Sequence, residues 1–171
     1  MDDRRKRGQL SSVEAIRIRK ATLADAPTAF AIRREATLTQ CAAYYAEQDL
    51  AIWTSGEMSE SFALRVADAF HIAEIDGRIV GTGMIDLASG KIDAIFVRPD
   101  WMGHGVGRAL MNHLECLAQA AGLTSIHLDA TLNAAPFYRR LGFTGEATST
   151  YRSSLGVTLA CVPMTKLLTP P

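Results

Sequence analysis

Apolar and basic residues alternate over residues 15–20 (AIRIRK), the period of a strand with one buried face. Thr22 and Asp25 then frame a T-x-x-D signal. The hydroxyl can take an orphan backbone N–H, and the acid favours the positive end of a helix dipole. The spacing predicts a helix over about 23–44, with further helical stretches over 46–53 and 59–69. Three strand-like runs follow at 71–75, 79–87 and 92–97. Asp76-Gly77 and Ser89-Gly90 separate them, and both dipeptides suit antiparallel hairpins.

The period then changes. Val106, Leu110, Leu114, Leu117, Ala118 and Ala121 recur at helical spacing, and Gly122 stands at the C-cap position. Residues 125–131 read as a strand, 132–141 as a short helix stopped by Gly142, and 143–151 and 157–166 as two closing strands. Strand 92–97, helix 105–121 and strand 125–131 make one βαβ unit, which predicts parallel neighbours joined by a right-handed crossover. The predicted order β-α-α-α-β-β-β-α-β-α-β-β is that of a mixed α/β (α+β) domain.

Composition narrows the function classes. The 171 residues suit a single domain, expected over 13–171, with residues 1–12 (MDDRRKRGQLSS) as a disordered basic tail. Eighteen basic residues balance eighteen acidic ones, which argues against a general nucleic-acid binder. Cys41, Cys116 and Cys161 are an odd number at wide spacing, without a CxxC or a Cys/His metal pattern. They read as thiols in a reducing compartment, with no metal required. No apolar run reaches the ~18 residues of a membrane span, and the basic N-terminus lacks the apolar region of a secretory signal. The expectation is a cytoplasmic protein without membrane or nucleic-acid partners.

The segment richest in chemistry runs over residues 92–108 (IDAIFVRPDWMGHGVGR). A strand enters a loop with alternate glycines at 103, 105 and 107, and the loop opens a helix. Glycine lets backbone approach a ligand closely, and a helix start adds unpaired N–H donors with partial positive charge. Such a loop suits a phosphate. It lacks the GK[ST] of a triphosphate loop, and it fails G-x-G-x-x-G because Arg108 or Leu110 falls at the last position.

Downstream, residues 133–143 read NAAPFYRRLGF. With the glycine loop, this resembles the GNAT superfamily of N-acetyltransferases, which move an acetyl group from acetyl-coenzyme A to an amine. The family's loop pattern is Q/R-x-x-G-x-G/A, followed later by a loose N-x-x-A/P-x-x-F-Y-x-x-x-G-F. The resemblance covers residues 14–166 in element order and implies helices on both faces of a mostly antiparallel sheet. One position departs: Met102 stands where the family has Gln or Arg, and it donates no hydrogen bond.

The resemblance implies roles by position. Gly103, His104, Gly105, Val106, Gly107 and Arg108, after Met102, would cradle the pyrophosphate of acetyl-CoA. Phe96 and Val97 would pair through backbone with the pantetheine arm like an added strand. Asn133 would hydrogen-bond the cofactor, or simply cap the next helix. Tyr138 would be the acid that protonates the leaving thiolate, since a phenol holds its proton at neutral pH. Asp93 is the candidate base, directly or through water, with Asp129, Glu35 and His127 as rivals and solvent as another proton acceptor. Tyr44, Tyr45 and Trp53, near Cys41, either line the acceptor pocket or form the helix face against the sheet. His71 and His113 have no partner by spacing.

The expected function is N-acetyl transfer by direct attack in a ternary complex. No cysteine falls in the matched catalytic segments, which argues against an acetyl-cysteine intermediate. A non-catalytic acyl-CoA-binding regulatory domain is the alternative, and a protein-directed acetyltransferase guided by the basic tail is a third. The acceptor would be an amine on a small molecule or a peptide. Homodimers are common in the family, but nothing in this sequence signals one.

Overall fold

The computed structural model describes residues 15–170, so the tail expected over residues 1–12 lies outside the described residues. The strands are β1 (Arg17–Lys20), β2 (Phe70–Ile75), β3 (Arg78–Asp86), β4 (Lys91–Val97), β5 (Ser125–Thr131), β6 (Ser149–Arg152) and β7 (Thr158–Leu167). The helices are α1 (Ala26–Gln40), α2 (Glu47–Trp53), α3 (Glu60–Ala69), α4 (Val106–Ala120) and α5 (Ala135–Arg140). The strands form one sheet in the order β1-β2-β3-β4-β5-β7-β6. Every neighbouring pair is antiparallel except β4 and β5, the ends of the βαβ unit. The α/β architecture and the parallel pair are those expected from the sequence.

Side-chain pattern explains the layering. On α4, Val106, Leu110, Met111, Leu114 and Ala118 are buried, a stripe that packs on one sheet face against Val80, Ile92, Val97 and Ile126. The other face carries α1 and α3, whose Ala29 and Val66 join Phe70, Ile72 and Met84. Ser59 caps α3 by accepting the Phe62 N–H at 3.1 Å. The Asp76-Gly77 hairpin has positive φ at both residues (49° and 73°), as a primed two-residue turn needs.

Three boundaries differ from expectation. The helix expected to run to about 44 ends at Gln40. There the chain turns so that Tyr45 Oη accepts the Leu132 N–H at 2.9 Å and donates to the Ala160 carbonyl at 2.6 Å. The strand expected over 143–151 is regular only over Ser149–Arg152, since Gly145 takes positive φ and breaks the extension. Asn133 is not the cap of α5, because Ala134 holds that position.

Two irregularities in β4 shape the site. Met84 pairs with Ala94 and Ile85 with Ile92, so Asp93 is the extra residue of a β-bulge. The bulge resets the alternation. Ile92, Ile95 and Val97 face α4, while Asp93 reaches Arg65 of α3 and Phe96 packs with the α1–α3 cluster. The second irregularity is a parting of the sheet. β4 and β5 pair only at Lys91↔His127, whereas β5 pairs with β7 along its whole length.

Candidate active site

Where β4 and β5 part, a cleft of about 650 Å³ opens between the sheet and helices α1 to α3. Its walls include Gln40, Tyr45, Trp53, Asp93, Phe96, Asp129, Asn133 and Tyr138. Of the three aromatics expected at the acceptor pocket, Tyr45 and Trp53 line this cleft, and Tyr44 does not; it is 56% exposed on the outer surface.

The strand alternation assigns the backbone groups of β4. Arg98 N–H donates to the Val80 carbonyl at 2.8 Å, and Phe96 pairs with Thr82. Peptide groups at Phe96 and Arg98 therefore point to β3, and those of Ile95 and Val97 point to the parted edge. This corrects the expectation for Phe96: its backbone is committed to β3, and its side chain is what reaches the cleft. The Val97 carbonyl accepts from Gln40 Nε2 at 3.2 Å.

The loop before α4 begins with a short 3₁₀ turn, Pro99–Trp101. Gly103 and Gly105 have φ of 77° and 82°, a region that L side chains rarely adopt, and a Cβ on either would meet open space. Among the described residues, no carbonyl accepts the backbone N–H groups from Gly103 to Arg108. They sit at the positive end of α4, the arrangement that suits an anion. His104 and Arg108 are exposed; His104 Nδ1 lies 3.0 Å from the Met102 carbonyl. Two loop residues have other work. The Val106 side chain is buried in the core, and a Cβ on Gly107 would come within 3.1 Å of Phe137, so that glycine lets α5 pack against α4. Met102 Sδ faces Gln40 Nε2 at 3.1 Å.

Tyr138 sits on α5 with its ring between Phe137 and Phe143, at centroid distances of 5.1 and 5.7 Å. It is buried, and burial holds its phenol well above the ordinary range. Among the described residues its hydroxyl has no hydrogen-bond partner. Asn133 Oδ1 is likewise buried without a partner at the cleft wall.

The three candidate carboxylates are already paired. Asp93 lies 3.1 Å from Arg65 and 3.7 Å from Lys91, Lys91 lies 3.6 Å from Asp129, and Glu35 lies 3.5 Å from Arg98. Asp93 and Asp129 line the cleft, while Glu35 and His127 do not. Cys41, which the sequence put beside the expected pocket aromatics, lines the cleft, and so does Cys161, which sequence reasoning passed over; burial pushes both thiols up, so neither is a ready thiolate. Sequence reasoning also passed over Arg33, Gln40, Arg65 and Tyr151. These lie outside the matched motifs, and only the packing of α1, α3 and β6 brings them to the cleft.

Comparison with known proteins agrees with this geometry. A family described as an acetyltransferase (GNAT) domain matches residues 67–145. A crystal structure of a GCN5-related N-acetyltransferase from Rhodopseudomonas palustris, described as "Aminotransferase, Class-II", is 31% identical with TM-score 0.82, covering 94% of this chain and 99% of that one. The PaiA N-acetyltransferase from Thermoplasma acidophilum, solved in complex with coenzyme A, shares the fold at TM-score 0.73 and 20% identity, over 90% of this chain and 99% of that one. A glucosamine 6-phosphate N-acetyltransferase from Trypanosoma brucei brucei is 33% identical over 76 residues, 39% of this chain and 52% of that protein. The chain spans about half the length of the curated relatives it matches. With its own parted β4–β5 pair and glycine loop, and with a relative matched along nearly its whole length, this chain belongs to the GNAT superfamily of N-acetyltransferases.

Proposed function

We propose that this chain is an acetyl-CoA-dependent N-acetyltransferase that works by direct transfer to an amine bound in the same cleft. The observation that carries the reading is the parted β4–β5 pair, with unpartnered N–H groups of Gly103 to Arg108 ahead of α4. An extended arm with amides can pair with the free edge of β4, and a diphosphate matches the N–H cluster. The residues that would hold acetyl-CoA are Gly103, His104, Gly105, Val106, Gly107 and Arg108 through backbone, Ile95 and Val97 through peptide groups, and Asn133 through its unpartnered Oδ1. Met102 offers no donor, so the backbone carries the diphosphate. Acetyl-CoA supplies an activated thioester carbonyl.

Tyr138 acts as the proton donor to the leaving sulfur. Its burial keeps the phenol neutral, and the same desolvation raises any thiol beside it, so the two proton affinities stay comparable. The free N–H groups on β4 stabilise the developing oxyanion. Asp93 serves as proton acceptor through water while Arg65 and Lys91 fix its position. The cleft cysteines stay protonated, which favours direct transfer over an acetylated thiol.

Calorimetry with acetyl-CoA, followed by a coenzyme A release assay over amino acids, polyamines, aminoglycosides and peptides, tests the reading. Saturable binding plus thiol release with at least one amine is the expected result. One observation favours a second reading, a non-catalytic acyl-CoA-binding module: the two cleft aspartates, Asp93 and Asp129, are both engaged by cations. Binding without thiol release from any amine would select it.

A further inference from the structure

We propose that the Arg33 guanidinium is the anion-binding group of the acceptor pocket, and that the accepted amine therefore carries a carboxylate or phosphate. This rests on the acetyltransferase reading above. Adjacent arginines on α1 have opposite fates. Arg34 donates to the Thr54 carbonyl at 2.9 Å and to the Gly56 carbonyl at 2.5 Å, and lies over the Phe30 ring at 5.1 Å. It anchors the segment between α2 and α3. Arg33 lines the cleft, half-buried, and makes no hydrogen bond or ion pair among the described residues.

The surrounding charges leave Arg33 uncompensated. Asp93 is taken by Arg65 and Lys91, and Asp129 by Lys91. Glu35 is turned to Arg98. Glu57 is exposed at the cleft rim and forms no ion pair with Arg33. A guanidinium stays charged even when desolvated, so its five donors are left to a ligand. Their planar fork matches a carboxylate or phosphate. Trp53 and Tyr151 line the same cleft with ring centroids 6.3 Å apart, giving the carrier of the anion an apolar wall. A half-buried cation with no structural contact is costly to keep unless it binds something.

The test has a binding arm and a turnover arm. In Trp101→Phe protein, Trp53 is the remaining tryptophan, and its fluorescence is titrated with O-phosphoethanolamine, free phenylalanine and their counterparts without the anionic group, ethanolamine and phenylalaninamide. The expected result is saturation by at least one anionic probe, weakened roughly tenfold to hundredfold by Arg33→Gln and partly restored by Arg33→Lys. No saturation by either anionic probe, or binding indifferent to Arg33→Gln, overturns the proposal. In coenzyme A release, the anionic member of a pair should be favoured through KM, and Arg33→Gln should erase that preference. Equal use of both members by wild type overturns it as well. Thiol release from no amine, with fluorescence saturation intact, would remove the acetyltransferase reading and leave the anion site standing. Melting temperature excludes a structural explanation: Arg33→Gln should not lower it, whereas Arg34→Gln should.

Discussion

Replacing Tyr138 with Phe deletes one oxygen and keeps the ring. The ring packs edge-on against Phe137 and Phe143 at 5.1 and 5.7 Å, and those contacts survive the change. The hydroxyl makes no hydrogen bond to the described residues, so its loss leaves no buried partner unsatisfied. A hydroxyl at the cleft wall without a protein partner adds little to the fold, so stability should change by less than about 0.5 kcal/mol. Catalysis should respond differently. A positioned acid contributes roughly 10² to 10⁴ in rate. Loss of the proton donor therefore raises the barrier by about 2.7 to 5.4 kcal/mol, at 1.36 kcal/mol per decade. Acetyl-CoA affinity should stay within about threefold, because the expected effect lies in the transition state and not in ground-state binding.

The assay is thiol release at saturating acetyl-CoA and amine, beside calorimetry and thermal melting on the same preparations. Because burial raises the Tyr138 pKa, the phenol stays protonated through neutral and mildly alkaline pH. The wild-type kcat should then show no alkaline fall that disappears in the variant. Turnover within threefold of wild type would make Tyr138 a packing residue. A rate loss accompanied by weaker acetyl-CoA binding or a lower melting temperature would refute the assignment in another way, by showing that the hydroxyl serves the fold or the ground state.

Gly105→Glu places a side chain on a backbone with φ of 82° and adds an acid beside the free N–H groups, so acetyl-CoA affinity should fall more than ~100-fold by calorimetry. Unchanged affinity would take the loop out of the site. The Arg19 guanidinium, bonded to both carboxylate oxygens at 2.8 and 2.9 Å, holds Asp25 at about 2, below its usual 3.8. Because the unfolded chain binds more protons between those values, stability from this group is present above about pH 4 and lost as pH falls towards 2, on the order of 2 kcal/mol in all. Acid melting curves of wild type and Asp25→Asn should differ in that window; identical acid limbs would contradict the assignment. Thiol reagents should modify exposed Cys116 first and buried Cys41 and Cys161 slowly, with coenzyme A slowing only the last two. Peptide mapping that finds Cys41 or Cys161 modified as fast as Cys116 would contradict their burial.

Local pattern carried most of the fold. Helix α4 was legible because Val106, Leu110, Leu114 and Ala118 repeat at helical spacing and Gly122, with φ of 80°, ends it. Both hairpins were legible from their turn dipeptides. What stayed hidden depends on contacts far along the chain. The end of α1 answers to Tyr45 reaching Leu132 and Ala160, across 87 and 115 positions. The break before β6 follows from Gly145, where a Cβ would collide with the Pro163 carbonyl. In the site, the glycine loop and the NAAPFY segment stood out as motifs. Arg33 did not, because an arginine's lack of a partner is a property of the folded surroundings and has no sequence signature.

The bulge and the parting of β4 act together. A bulge alone would shift Asp93 within a closed sheet, and a parted strand without it would turn a different set of side chains to the cleft. A parted sheet is costly, because peptide groups of Ile95 and Val97 lose their ladder partners. Two side chains offset part of that cost. Gln40 donates to the Val97 carbonyl, and the Tyr45 hydroxyl takes the Leu132 N–H while bonding Ala160 of β7. Tyr45 thereby ties the link between α1 and α2 to the β5–β7 side of the cleft, while Gln40, on α1, is tied to β4. The weaker contact is the one at the proposed ligand edge: the Gln40 amide sits at 3.2 Å on a flexible side chain and can yield to an incoming amide. The stronger contact, at 2.6 Å, lies on the β7 side, where the cleft needs a fixed wall. A cleft held open for an extended ligand requires this asymmetry, with a replaceable cap on the edge to be paired and a firm anchor on the edge that must not close.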